Sequence, residues 1–464
     1  MRGSHGIERV ALLVEHFPET SQVFINNQIE TLLERGIDVT ILSFGSARDA
    51  LPHASVAQIL RRTPVIRLDV PRLGWRRWLD LTAVAARPRS AWRRVRLARA
   101  QGWSLGPYDW TKLVLAERGL AGHRAQYDVL LCHFGPNGLL GAAMRDAGLV
   151  QGKLATFFHG YDFSERIRVK GPAYYQRLFE RGDVFVANTN FTRRCLLELG
   201  CPGERTATVP VGLFPERLPF RERRGAADRR VRFLSVGRLV DKKGHDDALH
   251  ALRLALDAGL SATYSIVGEG PLRPSLERMI AWLGLEDAVA LLGARTHEEV
   301  VGLAAESDIF VLASKHGSDG DVEGRGLALQ EAQAMGLPVI ATDHNGFPEG
   351  MIDGVTGLLV PEGDPAALAR VMTELGSAPE RWAPMGRAGA AFVRERYDQR
   401  RLTDQLIALL AGGTDSEAAP RAAADLAGLG DAAPVASPQR GDTPPRDHAP
   451  IVNGWARARS RPLS

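Results

Sequence analysis

A series of short, almost wholly apolar runs punctuates this chain, and most are followed by a stretch with helical periodicity. In the first half they are "VALLVE" (10–15), "DVTILSF" (38–44), "DVLLCHF" (128–134), "LATFFHG" (154–160) and "DVFVANT" (183–189). In the second half they are "VRFLSVG", "ATYSIVG", "AVALLG", "DIFVLAS", "LPVIATD" and "TGLLVP". A strand with no polar face must be covered on both sides, which is the situation of a parallel sheet flanked by helices. The amphipathic stretch "FINNQIETLLERG" (24–36), closed by Gly36, is such a cover. The pattern predicts an α/β protein of doubly wound, Rossmann-like domains.

Between the two series, the polar segment "PERLPFRERRGAADRR" (215–230) lacks periodicity and reads as a hinge. The expected division is therefore a first domain over 1–215, a hinge over 216–230 and a second domain over 231–387. Two such domains face each other across a cleft at the carboxyl ends of their strands, where open α/β sheets bind ligands. The chain's 464 residues accommodate two sizeable cores. From 412 to 464 the sequence turns rich in Ala, Pro, Gly, Arg and Asp, with Trp455 its one aromatic, and is expected to be disordered.

No apolar run is long enough to span a bilayer, and no signal-peptide pattern precedes the first strand. Cys132, Cys195 and Cys201 have no C-x-x-C spacing, so neither a disulfide framework nor a zinc site is expected, and a reducing cytoplasm is. The net charge of +4 is unevenly spread. Residues 61–100 hold twelve arginines against Asp69 and Asp80, with Trp75, Trp78 and Trp92 among them. This basic insertion, taken over 61–110, suits an anionic membrane surface, where guanidinium meets lipid phosphate and indole sits at headgroup depth. A solvated helical face is the plainer account, and no nucleic-acid partner is expected.

The stretch "VEGRGLALQEAQAMG" (322–336) places Glu323 and Glu331 eight residues apart. On one helix they would be separated by about 12 Å, beyond the roughly 5–9.5 Å of a glycosidase pair. "DGDVEG" from Asp319 imitates the start of a calcium loop, but Gln330 stands where the closing glutamate belongs. A clamp on an elongated ligand fits better. Gly324 to Leu327, Gly326 included, would form a tight turn whose amides open a helix and attract phosphate. A carboxylate before the turn can then hold sugar hydroxyls, and one a turn into the helix can hold a ribose diol. A surface helix with a solvated Glu331 is the alternative.

"SVGRLVDKKGHD" (235–246) also ends a strand and opens a helix, with Arg238 and Lys243 flanking the turn. A guanidinium fork and an ammonium suit a diphosphate whose charge develops on leaving. The pattern is not a Walker loop. "VGEGPLR" (267–273) has Gly268 and Gly270 but Arg273 in place of a third glycine, which disfavours a dinucleotide cofactor and leaves this loop as a cleft wall near a base. In the first domain "FFHGYD" puts His159 at a strand end near Asp162, and "LLCHF" ends on His133. Each could face the cleft or be a structural histidine.

Together these motifs resemble the family 4 glycosyltransferases of the GT-B fold, through "SVGRLVDKKG", "IVGEGPLR", "EGRGLALQEAQAMGLPVIAT", "GFPE" and "DGVTGLLVP". "FPETSQVFINNQI" and "FFHGYD" resemble a subgroup of the colanic-acid and amylovoran type, which usually reads S-E-T-F where this chain has "SQVF" with Gln22. The resemblance implies retaining transfer from a UDP- or GDP-sugar, with no metal required. Glu331 would bind the ribose, and Glu323 the donor sugar. Arg238 and Lys243 would neutralise the diphosphate, and His159 would stand by the reacting centre. Phe24, His133 and Asp162 would lie on the acceptor side, in a first domain that receives a lipid-linked saccharide. No dedicated base is implied, because the leaving phosphate takes the proton. A single helix over 388–411 would cross back onto the first domain. The enzyme would be peripheral at the inner face of a bacterial plasma membrane. A non-catalytic nucleotide-sugar-binding scaffold and a GT-B glycan phosphorylase are the alternatives, and the latter lacks a matching pyridoxal-lysine site.

Overall fold

Runs such as Val10–Val14 and Leu130–Cys132 have no polar side chain to present to water, and each becomes an inner strand buried on both faces. The computed structural model describes residues 6–19, 22–45, 54–68, 89–120, 123, 126–163, 165–225 and 230–412. The first sheet comprises β1 (Arg9–Val14), β2 (Asp38–Ser43), β3 (Val65–Arg67), β4 (Gln126–His133), β5 (Gln151–Phe158), β6 (Val184–Ala187) and β7 (Thr206–Thr208). All pair in parallel, in the order β3-β2-β1-β4-β5-β6-β7. The second sheet holds β8 (Val231–Val236), β9 (Ala262–Val267), β10 (Val289–Gly293), β11 (Ile309–Leu312), β12 (Val339–Thr342) and β13 (Gly357–Val360). It too is parallel, in the order β10-β9-β8-β11-β12-β13. The order reverses beside β1 in the first sheet and beside β8 in the second, and those two points fix where a ligand can enter.

The edge strands β3 and β7 are three residues long and carry no apolar run, so periodicity does not reveal them. β3 also corrects the reading of 61–110 as an insertion, because it pairs with β2 inside the sheet. Val95 and Ala98 of the helix Arg89–Ala100, with Trp103 beyond it, join the first core. Arg94 donates to Ala147 O and Gly148 O, both at 2.8 Å. Arg93, Arg96 and Arg99 stay exposed on the outer face of that helix. Trp75, Trp78 and the side chain of Trp92 lie outside the described residues.

The stretch 388–411, expected as one helix, is two, Trp382–Arg396 and Gln399–Leu410, broken at Tyr397 and Asp398. The break exists because the chain there runs alongside its own outbound crossing. Leu213 N donates to Tyr397 O and Gln399 N to Leu213 O, each at 2.9 Å. Asp398 then caps the second helix by accepting from Arg401 N at 3.0 Å. That helix belongs to the first domain. Leu402, Leu406, Ile407 and Leu410 pack with Ile25, Ile29 and Leu32 of the helix Val23–Glu34. Thr31 and Thr403 hydroxyls meet at 2.6 Å, and Arg35 grips Asp404. Of the tail 412–464, all but Gly412 lies outside the described residues. Cys132, Cys195 and Cys201 are free and buried.

Candidate active site

Loops leaving β8 and β11 flank the reversal of the second sheet and carry Arg238, Lys242, Lys243, Asp321 and Glu323. After β8 the backbone turns through Gly237 to Gly244, whose φ of 62° and closeness to Ala313 O exclude a side chain. Gly268, at φ 146°, lies against the Gly237 carbonyl, where a Cβ would sit 1.9 Å from the oxygen. Glycine at 268 therefore lets the two loops touch, a packing reason for that residue. Arg238 is exposed and forms no ion pair among the described residues. Lys243 turns inward and pairs with Glu323 at 2.8 Å. The adjacent Lys242 is buried, pairing with Asp321 at 2.8 Å and donating to Val322 O.

The loop after β11 delivers Glu323 four residues ahead of the helix Leu327–Ala334, and Glu331 one turn inside it. Gly326 is the N-cap residue, with Leu329 N bonded back to its carbonyl. The first amides of this helix have no partner within it and open between the two acids. The acids differ in kind. Burial alone would push the Glu323 carboxyl up, but the charges of Lys243 and Lys242 outweigh it and hold the group below its ordinary range. Glu331 has no such cation. It lines a largely apolar pocket with Val236, His297, Val300, Val301, Ala328 and Ala332, and burial raises its carboxyl to about 7. A charged acceptor beside the helix start and a second acid in a largely apolar pocket suit two ends of one ligand better than a hydrolytic couple.

The first domain brings His133 and His159 together at the ends of β4 and β5. His159 Nε2 lies 3.3 Å from His133 Nδ1, whose Nε2 is 2.7 Å from Gln28 Oε1. Phe24, Phe134 and Phe157 surround His159 with ring centroids 4.9, 4.6 and 5.2 Å away. Burial holds both imidazoles neutral, His133 at about 3 and His159 well below its ordinary value, the latter also opposed by His133. Asp162, expected on the acceptor side, is corrected by its burial. It is wholly enclosed and accepts from His159 N at 2.7 Å and Gly135 N at 3.1 Å. It braces the turn that presents His159 and has no free oxygen facing the cleft.

The two halves of the site meet at Gly160 and Gly324, where a Cβ on Gly324 would fall 2.7 Å from Gly160 Cα. This places His159 next to the Glu323–Gly324 loop. Around the contact, Val322 packs with Phe163 and Phe191. The Glu349 carboxylate accepts from Asn190 N and Phe191 N, both at 2.7 Å, so the second domain caps a helix of the first. Arg325 donates to Asn188 O and stacks on Tyr397 at 3.9 Å, while Tyr397 Oη donates to Glu349 O. Sequence reasoning missed Lys242, Arg325, Glu349 and His344. "GFPE" contains Glu349, but nothing in that motif says that its partner amides lie some 160 residues earlier.

Two family patterns match this chain: "Glycosyl transferase 4-like domain" over residues 20–212 and "Glycosyl transferases group 1" over 216–392. The putative colanic acid biosynthesis glycosyltransferase WcaL of Escherichia coli (strain K12) is 31% identical over 410 residues, 87% of this chain and 99% of the relative. The amylovoran biosynthesis glycosyltransferase AmsK of Erwinia amylovora is 31% identical over 413 residues, again 87% and 99%. Among solved structures, HepE of Anabaena in complex with UDP and glucose superposes with a TM-score of 0.64 at 17% identity, covering 87% of this chain and 99% of that one. WaaG, a glycosyltransferase involved in lipopolysaccharide biosynthesis, gives 0.60 at 17% identity, covering 87% and 100%. With both domains matched in order and two relatives aligned over nearly their whole length, the chain belongs to the group 1 family of glycosyltransferases, of GT-B fold.

Proposed function

We propose that the protein transfers a sugar, with retention, from a nucleoside diphosphate sugar to a lipid-linked saccharide in exopolysaccharide assembly. The observation that carries this reading is the order Glu323, helix amides, Glu331 along one loop, with Lys243 at the first acid and the two domains touching beside it. In this reading the Glu331 carboxylate accepts from the ribose diol. The diphosphate lies against the amides of Gly324 to Leu327, with Arg238 and Lys243 countering its charge. That charge grows as the glycosidic bond breaks, so fixed donors stabilise the transition state more than the bound donor. Glu323 accepts from hydroxyls of the sugar. The acceptor hydroxyl adds to the anomeric carbon on the face the phosphate leaves, and gives its proton to that phosphate. His159, neutral and held by His133, offers a ring nitrogen to the reacting sugar or the acceptor. The protein's own groups would meet the diphosphate charge, so no metal is invoked.

The relatives in colanic acid and amylovoran synthesis support a polysaccharide pathway, and the complex of HepE with UDP supports a uridine or related donor. No helix among the described residues is long and apolar enough to cross a membrane. Exposed Arg93, Arg96 and Arg99 supply positive charge for a peripheral contact with the inner leaflet. A thermal-shift series with UDP- and GDP-sugars tests the donor, since binding raises stability by mass action. One series should raise the melting temperature in wild type and not in Glu331→Ala; no shift with any of them would remove the reading. Co-sedimentation with vesicles tests the membrane part, and equal binding to neutral and anionic lipid would refute the electrostatic contact.

A further inference from the structure

Behind Glu323, outside the donor groups already described, lies a cluster of His316, His344 and Glu362. His344 is wholly buried. Its Nδ1 is 2.5 Å from Glu362 Oε2, and His316 Nδ1 is 2.6 Å from the other oxygen. On its far side His344 Nε2 lies 3.2 Å from Glu323 N and 2.9 Å from Asn345 Nδ2, and Asn345 Nδ2 lies 3.0 Å from Glu323 O. The directions of these bonds follow from the backbone alone. A peptide N–H can only donate and a peptide carbonyl can only accept. The Glu323 carbonyl therefore takes one hydrogen of the Asn345 amide, whose other hydrogen points to Nε2. Nε2 thus faces two donors and must be the unprotonated nitrogen, which puts the ring proton on Nδ1, toward the Glu362 carboxylate.

The three side chains have ligand-type atoms within 4.8 Å of one another, a spacing that would also admit a metal ion. The hydrogen bonds argue against that use. With Nε2 accepting twice, Nδ1 keeps its proton and has no lone pair for a cation. What the arrangement does is clamp the backbone N–H and C=O of Glu323, one in each of its flanking peptide groups. Asn345 takes part from a left-handed conformation, φ 49°, one that asparagine tolerates better than most residues.

We propose that His344, oriented by Glu362 and acting with Asn345, is a positioning residue that fixes the Glu323 carboxylate against the donor sugar. This rests on the reading of Glu323 as the sugar-end grip. Most of the nucleotide end, held by Glu331, Arg238 and the amides of Arg325 to Leu327, lies beyond the clamp, and only the Gly324 amide shares a peptide group with the clamped Glu323 carbonyl. Loss of the clamp therefore affects turnover and spares nucleotide affinity. Glutamine at 344 can still accept with Oε1 and donate with its amide, whereas leucine can do neither. Asn345→Gly removes the side chain yet tolerates the left-handed backbone.

The test uses the full chain as His344→Gln, His344→Leu and Asn345→Gly. Deuterium exchange is followed at the Glu323 amide, UDP and GDP binding by calorimetry, and turnover by nucleotide release from the sugar nucleotide found in the thermal-shift series. His344→Leu and Asn345→Gly should speed Glu323 exchange at least about tenfold, since the amide loses its acceptor or the brace on it. They should lower kcat by about 10²-fold, the order expected for a misplaced reacting geometry. The dissociation constant for the nucleotide should stay within about threefold, as a single pairwise contact is not removed there. His344→Gln should restore most of both losses. Unchanged exchange and turnover in His344→Leu would overturn the proposal. So would a His344→Gln variant as impaired as the leucine one, or nucleotide affinity falling in step with turnover. If the wild type binds neither UDP nor GDP, it is the donor reading that fails, and the clamp itself still stands or falls on the amide exchange.

Discussion

Glutamine in place of Glu331 should make the protein more stable and a poorer binder at the same time. The carboxyl sits in an apolar pocket without a cation, and burial raises it from 4.5 to about 7. Below pH 4.5 the acid is protonated whether the chain is folded or not, so it exerts no pull. Between 4.5 and 7 the folded state retains a proton that the unfolded state has shed, so stability falls as pH rises through this window. Two and a half units at about 1.4 kcal/mol each give an upper bound of about 3.5 kcal/mol lost by pH 8. Glutamine carries no proton to lose. Wild type and Glu331→Gln should therefore melt together near pH 4, while at pH 8 the variant should melt higher by up to about 14 °C, at about 2–4 °C per kcal/mol for a domain of this size. Nucleotide affinity should move the other way, because a hydrogen bond to a charged acceptor contributes about 1.5–3 kcal/mol and its loss weakens UDP or GDP binding about 10- to 100-fold. The assay is scanning fluorimetry across pH with calorimetric titration at pH 8. Equal melting temperatures at pH 8, or an unchanged dissociation constant, would refute the argument, since both effects come from the same ionised oxygen.

Three further substitutions separate the parts of the site. Glu323→Gln removes the charge that Lys243 faces at 2.8 Å; turnover should fall by about 10²-fold with nucleotide binding nearly retained, and parallel losses would count against the sugar-end role. Gly324→Ala forces a methyl into the Gly160 contact, so the variant should fold and bind nucleotide in its second domain, yet lose at least about tenfold in turnover as the cleft is held open. Small-angle scattering should report a larger radius of gyration, and an unchanged profile with full activity would show that the contact is dispensable. Glu349→Ala leaves the Asn190 and Phe191 amides without their acceptor while Thr189 still caps Thr192 N; a loss of about 1 kcal/mol is expected by denaturant melt, and none if water replaces the carboxylate.

The inner strands were legible because a doubly covered strand must be apolar along its length, and "VALLVE" or "DIFVLAS" has few other uses. β3 and β7 were not, because an edge strand of three residues such as "VIR" or "TAT" satisfies its backbone without an apolar signature. The break at Tyr397 and Asp398 was hidden for a related reason. The stretch is helical by composition, and what interrupts it is hydrogen bonding to Leu213, which has no local sequence signal. Within the site, sequence spacing could place Glu323 before a helix and Glu331 on it, since both facts depend on one contiguous segment. The same spacing said nothing of Asp162, whose two oxygens accept from the backbone of its own turn and of Gly135, at the start of the earlier helix Gly135–Asp146.

Glu323 shows where local reasoning stops most clearly. Its chemistry depends on Lys243, eighty residues earlier, for charge, and on His344 and Asn345, about twenty residues later, for position. These three come together only because β8, β11 and β12 lie side by side in one parallel sheet and release their loops at the same edge. A parallel sheet sends every loop at one edge from a strand's carboxyl end, so residues far apart in sequence become neighbours there. The amide of Glu323 is held by the loop after β12 and its carboxylate is paired by the loop after β8. The Glu323 loop is thus tied on both sides to the sheet that presents it, and the carboxylate is held in place by the protein's own groups.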